Sequence, residues 1–133
     1  MFLVILKFII ITAPLDLPKY LAKKYKGHGT HLLGNSPTDQ ILVECCCEVE
    51  AGKFNWLVFN IFSQIVMCPF GGLLTNEAIV EVCVGELKKL LDVYEERLSK
   101  TKYLVGDFFS LTDLQHLPWT HYLVTVCNKK DLI

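Results

Sequence analysis

KYLVGDFFSLTDLQHLPWTHYLV, residues 102–124, contains the clearest helix-start signal of the chain. At its centre Ser110 precedes an apolar run, and Asp113 follows three residues later. A Ser and an acid at this spacing predict a capping box, in which each side chain hydrogen-bonds the backbone N–H of the other residue. The usual box has Glu or Gln at the later position, so Asp113 is a shorter variant.

The residues that flank this cap support the same helix start. Phe109 stands directly before Ser110, and Leu114 lies four positions into the predicted helix, a spacing typical of a hydrophobic staple. Gly106 and Asp107 supply the turn that leads into the cap. On these residues alone the stretch predicts a well-capped core helix, and capping itself carries no chemistry.

The same stretch carries a family resemblance. YLVGDFFSLTDLQHLP resembles the signature of the helical C-terminal domain of cytosolic glutathione S-transferases, and HLPWTHYLV resembles their plant phi class. The resemblance implies an all-α fold, a helical bundle of the glutathione transferase C-terminal type. It also implies a cytoplasmic detoxification enzyme that conjugates glutathione to small electrophiles, and a structural rather than catalytic role for Asp113.

Residues 20–34, YLAKKYKGHGTHLLG, resemble the end of the family's thioredoxin-like domain and its linker. In the family an acid–Ser pair just upstream holds the γ-glutamyl end of glutathione, and the matching positions are Ala13 and Pro14. The family's catalytic Ser lies further upstream and has no counterpart before Thr12. We therefore expect no catalytic residue and no glutathione-binding residue here, and binding of the family co-substrate glutathione is doubtful.

These features predict three parts with different roles. Residues 1–15 form an atypical hydrophobic N-terminal segment, 16–35 a remnant helix and linker, and 36–133 an incomplete glutathione transferase C-terminal domain. On this interpretation the thioredoxin-like domain is essentially missing, and so is the pair of helices that closes the family's bundle.

The N-terminal segment FLVILKFIII, residues 2–11, is too short for a transmembrane helix, which needs about 20 apolar residues. It is a poor signal peptide, because no basic region precedes it and Lys7 interrupts it. Three interpretations stay open: a buried strand, a weak membrane anchor, or a sequence that replaced the authentic N-terminal domain. We favour the third.

The composition excludes several classes of function. The chain has 133 residues, is 52% hydrophobic and carries a net charge of −1, so a basic nucleic-acid-binding surface is not indicated. Its six Cys include the run Cys45, Cys46 and Cys47 but no Cys-x-x-Cys pair. We therefore expect free thiols in a reducing compartment and no metal site.

Two further helices are predicted between the linker and the opening stretch. Ser36 and Pro37 begin the first, with Asp39 in its first turn, a bend near Gly52 and an end at residues 69–72. Its expected apolar face consists of Leu42, Cys45, Cys46 and Val49. Thr75 is the expected cap of the second, whose predicted stripe is Ile79, Val82, Cys83, Leu87, Leu90, Leu91, Tyr94 and Leu98.

The resemblance also implies where an electrophile would bind. Phe59 best matches the aromatic residues that line the family's hydrophobic substrate pocket, Phe62 is a less secure match, and Tyr122 is a further candidate. The alternative is that these aromatic residues belong to the core. His116 and His121, on the last helix with Pro118, are expected to pack rather than to act as bases.

The predicted function is therefore that of a glutathione transferase family member with little or no activity of its own. The alternative is a non-enzymatic helical module that binds hydrophobic small molecules or a partner protein. Membrane association through residues 2–11 is the weakest hypothesis. The family's enzymes are homodimers, but dimerisation of this chain stays open, since much of the family's dimer contact involves the domain expected to be missing.

Overall fold

The computed structural model describes residues 16–132, and every regular element in this range is helical. The α-helices are α1 (Asp16–Lys24), α2 (Pro37–Val49), α3 (Trp56–Phe62), α4 (Cys68–Phe70), α5 (Glu77–Leu98) and α6 (Leu111–Thr125). Two π-helical stretches, Glu50–Asn55 and Ser63–Met67, connect α2, α3 and α4, and a 3-10 turn spans Lys130–Leu132. The all-α prediction is confirmed. The predicted segment 1–15, including Ala13 and Pro14, lies outside the described residues.

Helix α2 begins where the sequence predicts. The Ser36 hydroxyl accepts the Asp39 N–H at 3.1 Å, and the Asp39 carboxylate accepts the Ser36 N–H at 3.0 Å. These hydrogen bonds lower the pKa of Asp39, because they favour its charged form. Pro37 occupies the first turn, where its missing N–H leaves no helical hydrogen bond unmade.

The buried face of α2 differs from the predicted one. Val43 and Cys47 are buried at 1% and 0% exposure, and Glu50 continues the same face at 2%. Leu42, Cys45 and Val49, predicted to face inward, are exposed, and Cys46 is half-buried. The prediction was wrong because the buried face includes an acid, Glu50. A pattern based on hydropathy alone therefore selected the adjacent face of the helix, which consists of apolar residues.

The helical path from α2 to α4 is continuous, and the predicted irregularity at Gly52 lies in the first π-helical stretch. A π-helical turn closes on residue i+5 rather than i+4, and it holds an extra residue compared with an α-helical turn. The path ends at Gly71 and Gly72, where Gly72 has a φ of +77° that favours glycine.

The start of α5 is one residue later than predicted. Asn76 is the N-cap, and its side chain accepts the Ile79 N–H at 3.3 Å. Thr75 is not the cap; its hydroxyl donates to the Gln64 carbonyl at 2.9 Å. Both residue types cap helices well, so local sequence does not discriminate between neighbours. The buried side chains of α5 are Val80, Cys83 and Leu87, whereas the predicted Ile79 and Val82 are 40% and 67% exposed.

Helix α6 takes part in both hydrophobic clusters of the described residues. The larger cluster joins α3, α5 and α6 and contains Phe54, Leu57, Val58, Ile61, Phe62, Cys83, Leu87, Trp119, Leu123, Cys127 and Leu132. The smaller joins α2, the loop before α6 and its first turn through Val43, Cys47, Val105 and Leu111. Each large buried side chain contributes roughly 1.5–3 kcal/mol to folding. Within residues 16–132 no helix is long and apolar enough to cross a membrane.

Candidate functional site

The capping box fixes the first turn of α6 and therefore the side chains that this helix presents. The box between Ser110 and Asp113 is formed, as predicted. The Ser110 N–H donates to Asp113 Oδ2 at 2.9 Å, and the Ser110 hydroxyl donates to the same oxygen at 2.6 Å. Asp113 Oδ1 accepts the Leu104 N–H at 3.2 Å. Asp113 thus also holds the preceding loop, a long-range role that the local sequence does not reveal.

The two residues of the predicted staple have separate surroundings in the structure. The Phe109 ring lies edge-on to Tyr103, with the ring centroids 5.7 Å apart. Leu114 is 42% exposed and lines an apolar groove described below. A hydrophobic staple between Phe109 and Leu114 stays a prediction.

Four aromatic side chains from α3 and α6 form what we call the aromatic cluster: Phe59, Phe62, Trp119 and Tyr122. Trp119 lies at its centre, with ring centroids 6.0 Å from Phe59, 6.3 Å from Phe62 and 6.2 Å from Tyr122. The Phe62 and Tyr122 rings meet edge-to-face at 5.5 Å. Aromatic pairs prefer these edge-to-face and tilted arrangements, which hold the rings in defined positions.

The structure brings together the three residues predicted to line an electrophile pocket. Phe62 is 6% exposed, and Phe59 and Tyr122 are half-buried. The sequence analysis missed the central member, Trp119, which is 2% exposed. The available signal was its position three residues before Tyr122, since i and i+3 share a helix face. Their use as a pocket wall stays a prediction.

Two polar side-chain atoms on α6 lie unpaired, one of them on Trp119 of this cluster. Trp119 Nε1 and Gln115 Oε1 are buried and find no hydrogen-bond partner among the described residues. They are four residues apart and so lie on one face of the helix. Leaving a buried donor or acceptor unsatisfied costs about 1–3 kcal/mol. Because both atoms are buried, neither is open to a ligand in this structure.

A second candidate surface is an apolar groove of about 540 Å³, which we call the α1 groove. Leu17 and Leu21 of α1 form one side, and Leu111 and Leu114 of α6 the other. The Leu111 N–H donates to the Leu32 carbonyl at 2.9 Å, so the loop after α1 is attached to α6. Leu17 and Leu21 are 48% and 44% exposed, which leaves apolar side chains open to a ligand.

The buried thiols are not activated nucleophiles. Burial raises the pKa of the Cys46, Cys47, Cys83 and Cys127 thiols, that of Cys127 to about 11. A raised thiol pKa keeps the sulfur protonated near neutral pH and unreactive. Within the part of the chain that the structure describes, no group of three or more His, Cys, Asp or Glu could hold a metal ion.

Comparisons with known proteins agree with this architecture. The family model for the glutathione S-transferase C-terminal domain matches residues 54–128. Glutathione S-transferase F13 of Arabidopsis thaliana is 43% identical over 106 residues, which cover 79% of this chain and 48% of the relative. Glutathione S-transferase F10 of the same plant is 40% identical over 115 residues, covering 86% of this chain and 54% of the relative.

Solved structures give the same result. Glutathione transferase F7 from Populus trichocarpa matches with a TM-score of 0.76 at 37% identity, covering 86% of this chain and 56% of that protein. Glutathione transferase F2 from the same tree matches with a TM-score of 0.81 at 30% identity, covering 86% and 54%. The chain thus spans about half the length of the curated relatives it matches.

Proposed function

The chain belongs to the glutathione S-transferase family and to its plant phi class, and on this premise we propose that its bundle forms the electrophile-binding half of a glutathione-conjugating site. The observation that carries the proposal is the aromatic cluster on α3 and α6. Ligand sites are mostly apolar with a few placed polar groups, and the half-buried Phe59 and Tyr122 supply an apolar ring surface and a phenolic hydroxyl. The proposed activity is conjugation of glutathione to small electrophiles in detoxification.

We propose that the chain alone conjugates glutathione slowly or not at all. Conjugation requires a site that holds glutathione and favours its thiolate, which is the nucleophile. The positions matching the family's acid–Ser pair are Ala13 and Pro14, which carry neither carboxylate nor hydroxyl. Glutathione is therefore proposed as the family's co-substrate and not as a tight ligand of this chain.

The first experiment measures conjugation of glutathione to a generic aromatic electrophile by the purified chain. A rate equal to the uncatalysed background at the same pH is expected. A saturable rate above that background would contradict the proposed lack of activity, because it would require glutathione to be bound and activated here.

A second experiment tests the electrophile side separately, with a non-reactive aromatic analogue and Trp fluorescence as the readout. Phe59→Ala should weaken binding several-fold, since Phe59 packs on Trp119. Phe70→Ala is the matched control, because Phe70 is 80% exposed and outside the cluster. Equal affinities for the two variants and the unmodified chain would contradict a binding role for the aromatic cluster.

The α1 groove favours a second candidate function, a non-enzymatic module that binds hydrophobic small molecules. Its volume of about 540 Å³ lies within the range of small-molecule sites. Leu114→Asp should reduce saturable binding of an apolar dye at least several-fold. Leu74→Asp, at a residue 95% exposed and outside the groove, should not. Dye binding only to aggregated protein would rule this function out.

We also propose a cytoplasmic location and a homodimer. The support for a dimer is a surface depression between the first π-helical stretch, α3 and α5, where the apolar Trp56 is 59% and Val93 61% exposed. Val93→Glu should then convert a dimer to a monomer in sedimentation equilibrium without loss of helix. A chain that is monomeric before the substitution would contradict the dimer.

A further inference from the structure

Three ionisable side chains lie together inside the bundle, and we call them the polar cluster: Glu50, Tyr94 and His116. Glu50 is 2% exposed and His116 9%, and Tyr94 is half-buried. The His116 ring stacks at 4.6 Å on Phe54 and at 5.3 Å against Tyr94, measured between ring centroids. The three side chains come from the first π-helical stretch, α5 and α6, so the cluster joins three elements of the core.

The hydrogen bonds of His116 show which of its ring nitrogens carries the hydrogen. His116 Nδ1 is 2.7 Å from the Thr112 carbonyl, and a carbonyl only accepts, so Nδ1 carries the hydrogen. Nε2 is 3.2 Å from the Tyr94 hydroxyl. Burial lowers the pKa of His116, so the ring is neutral and Nε2 accepts the Tyr94 hydrogen.

Nothing charged compensates an ionised Glu50. The titratable or charged groups near the cluster are Lys19 on α1, Cys46 and Cys47 on α2, Tyr94 and Arg97 on α5, and Asp113 and His116 on α6. Lys19 Nζ binds Glu48 at 3.3 Å, and the Arg97 guanidinium donates to two carbonyl oxygens at 3.1 Å. Among the ion pairs formed by residues 16–132, none includes Glu50. Burial accordingly raises the pKa of Glu50 to about 7.

The π-helical backbone that begins at Glu50 can change its local geometry. Glu50 opens the π-helical stretch Glu50–Asn55, where the exposed Gly52 and Lys53 follow within three residues. Rewinding a π-helical turn as an α-helical one changes the direction of its first side chain relative to Val43 and Cys47. A surface depression of about 230 Å³ reaches Tyr94 and gives water a path to the cluster.

We propose that the polar cluster is a proton-controlled latch on the stretch Glu50–Asn55. With Glu50 protonated, its neutral carboxyl stays buried and the stretch stays packed on α5 and α6. When Glu50 ionises, the buried charge has no partner, and the stretch opens locally to bring the carboxylate to water. The latch is independent of whether the chain conjugates glutathione, and it links proton concentration to the helix that continues into the aromatic cluster.

Amide hydrogen exchange of the whole chain tests the latch, with rates corrected for the intrinsic effect of pH. Since the Glu50 pKa is 4.5 in the open state and about 7 in the closed state, the opening constant of residues 50–55 should rise roughly 10-fold between pH 6 and 8.5 and should level off once the pH is above 7. The amides at the centre of α5 should not change. Glu50→Gln, which keeps size and hydrogen bonding, should abolish the rise, whereas the exposed control Glu81→Gln should retain it.

Two results would overturn the latch: an equal pH dependence in Glu50→Gln and the unmodified chain, or an equal rise in α5. A direct measurement covers the case in which Glu50→Gln does not fold. Carbon-detected NMR of the unmodified chain should give a Glu50 titration midpoint near 7, and a midpoint near the ordinary 4.5 would overturn the proposal.

Discussion

The core of the bundle contains two neighbouring clusters that are buried to a similar extent and are stabilised by different interactions. In the aromatic cluster Trp119, 2% exposed, is held by ring packing that no physiological change of pH alters. In the polar cluster Glu50, also 2% exposed, forms none of the ion pairs of residues 16–132, and burial raises its pKa to about 7. Helix α6 supplies Trp119 to one cluster and His116 to the other. One helix thus couples a pH-independent half of the core to a pH-dependent half.

The largest effect is expected from breaking the aromatic cluster. Trp119→Ala removes the ring that contacts Phe59, Phe62 and Tyr122 and leaves a cavity. We expect the free energy of unfolding to fall by about 3–5 kcal/mol. Urea denaturation followed by circular dichroism measures it. The loss should be the same at pH 6 and pH 8; a strongly pH-dependent loss would show that the two clusters are not distinct.

The next effect comes from the titration of Glu50. Its pKa is 4.5 in an unfolded chain and about 7 in the fold. Between these values the unfolded chain loses a proton that the folded chain keeps, so stability from this group falls as the pH rises from 4.5 to 7. His116, with its lowered pKa, has the opposite effect: stability falls as the pH drops below its ordinary 6.5.

Comparing Glu50→Gln with the unmodified chain cancels the His116 contribution and isolates Glu50. Relative to its effect at pH 4.5, the substitution should raise the free energy of unfolding at pH 8 by up to about 3 kcal/mol. Urea denaturation at half-unit steps of pH measures this difference. A difference that does not depend on pH would mean that Glu50 titrates normally in the fold.

A smaller effect, shared by both clusters, is expected at the start of α6. Asp113→Ala removes the acceptor of the Ser110 N–H, the Ser110 hydroxyl and the Leu104 N–H. We expect a loss of about 1–2 kcal/mol, typical of a lost cap. Asp92→Ala, at an exposed acid on α5 away from this cap, is the control. Because α6 carries both clusters, thermal unfolding followed by near-ultraviolet circular dichroism should stay a single transition.

The sequence predicted local features better than long-range ones. The capping box of Ser110 and Asp113 and the cap of α2 at Ser36 were predicted because each depends on residues within one helical turn. The inner face of α2 was missed because Glu50 is buried by α5 and α6, and a pattern of apolar residues places an acid outside. For the candidate site, two aromatic positions on α3 and one on α6 were named from the resemblance. The central position of Trp119 depends on how the two helices meet in three dimensions.

The smallest effect is expected from removing a single oxygen atom, the hydroxyl of Tyr94. Tyr94→Phe keeps the ring that lies against Phe54 and His116 and removes the hydroxyl that donates to His116 Nε2. Losing one buried hydrogen bond should cost about 1 kcal/mol in urea denaturation. We also expect the Glu50 titration midpoint to move further above about 7, because Glu50 is close enough for its charge to act on Tyr94 and the substitution makes its surroundings less polar. The exposed Tyr20→Phe should change neither quantity. If Tyr94→Phe leaves the Glu50 midpoint unchanged, the Tyr94 hydroxyl serves His116 alone, and the pH response belongs to the burial of Glu50 and not to a connected cluster.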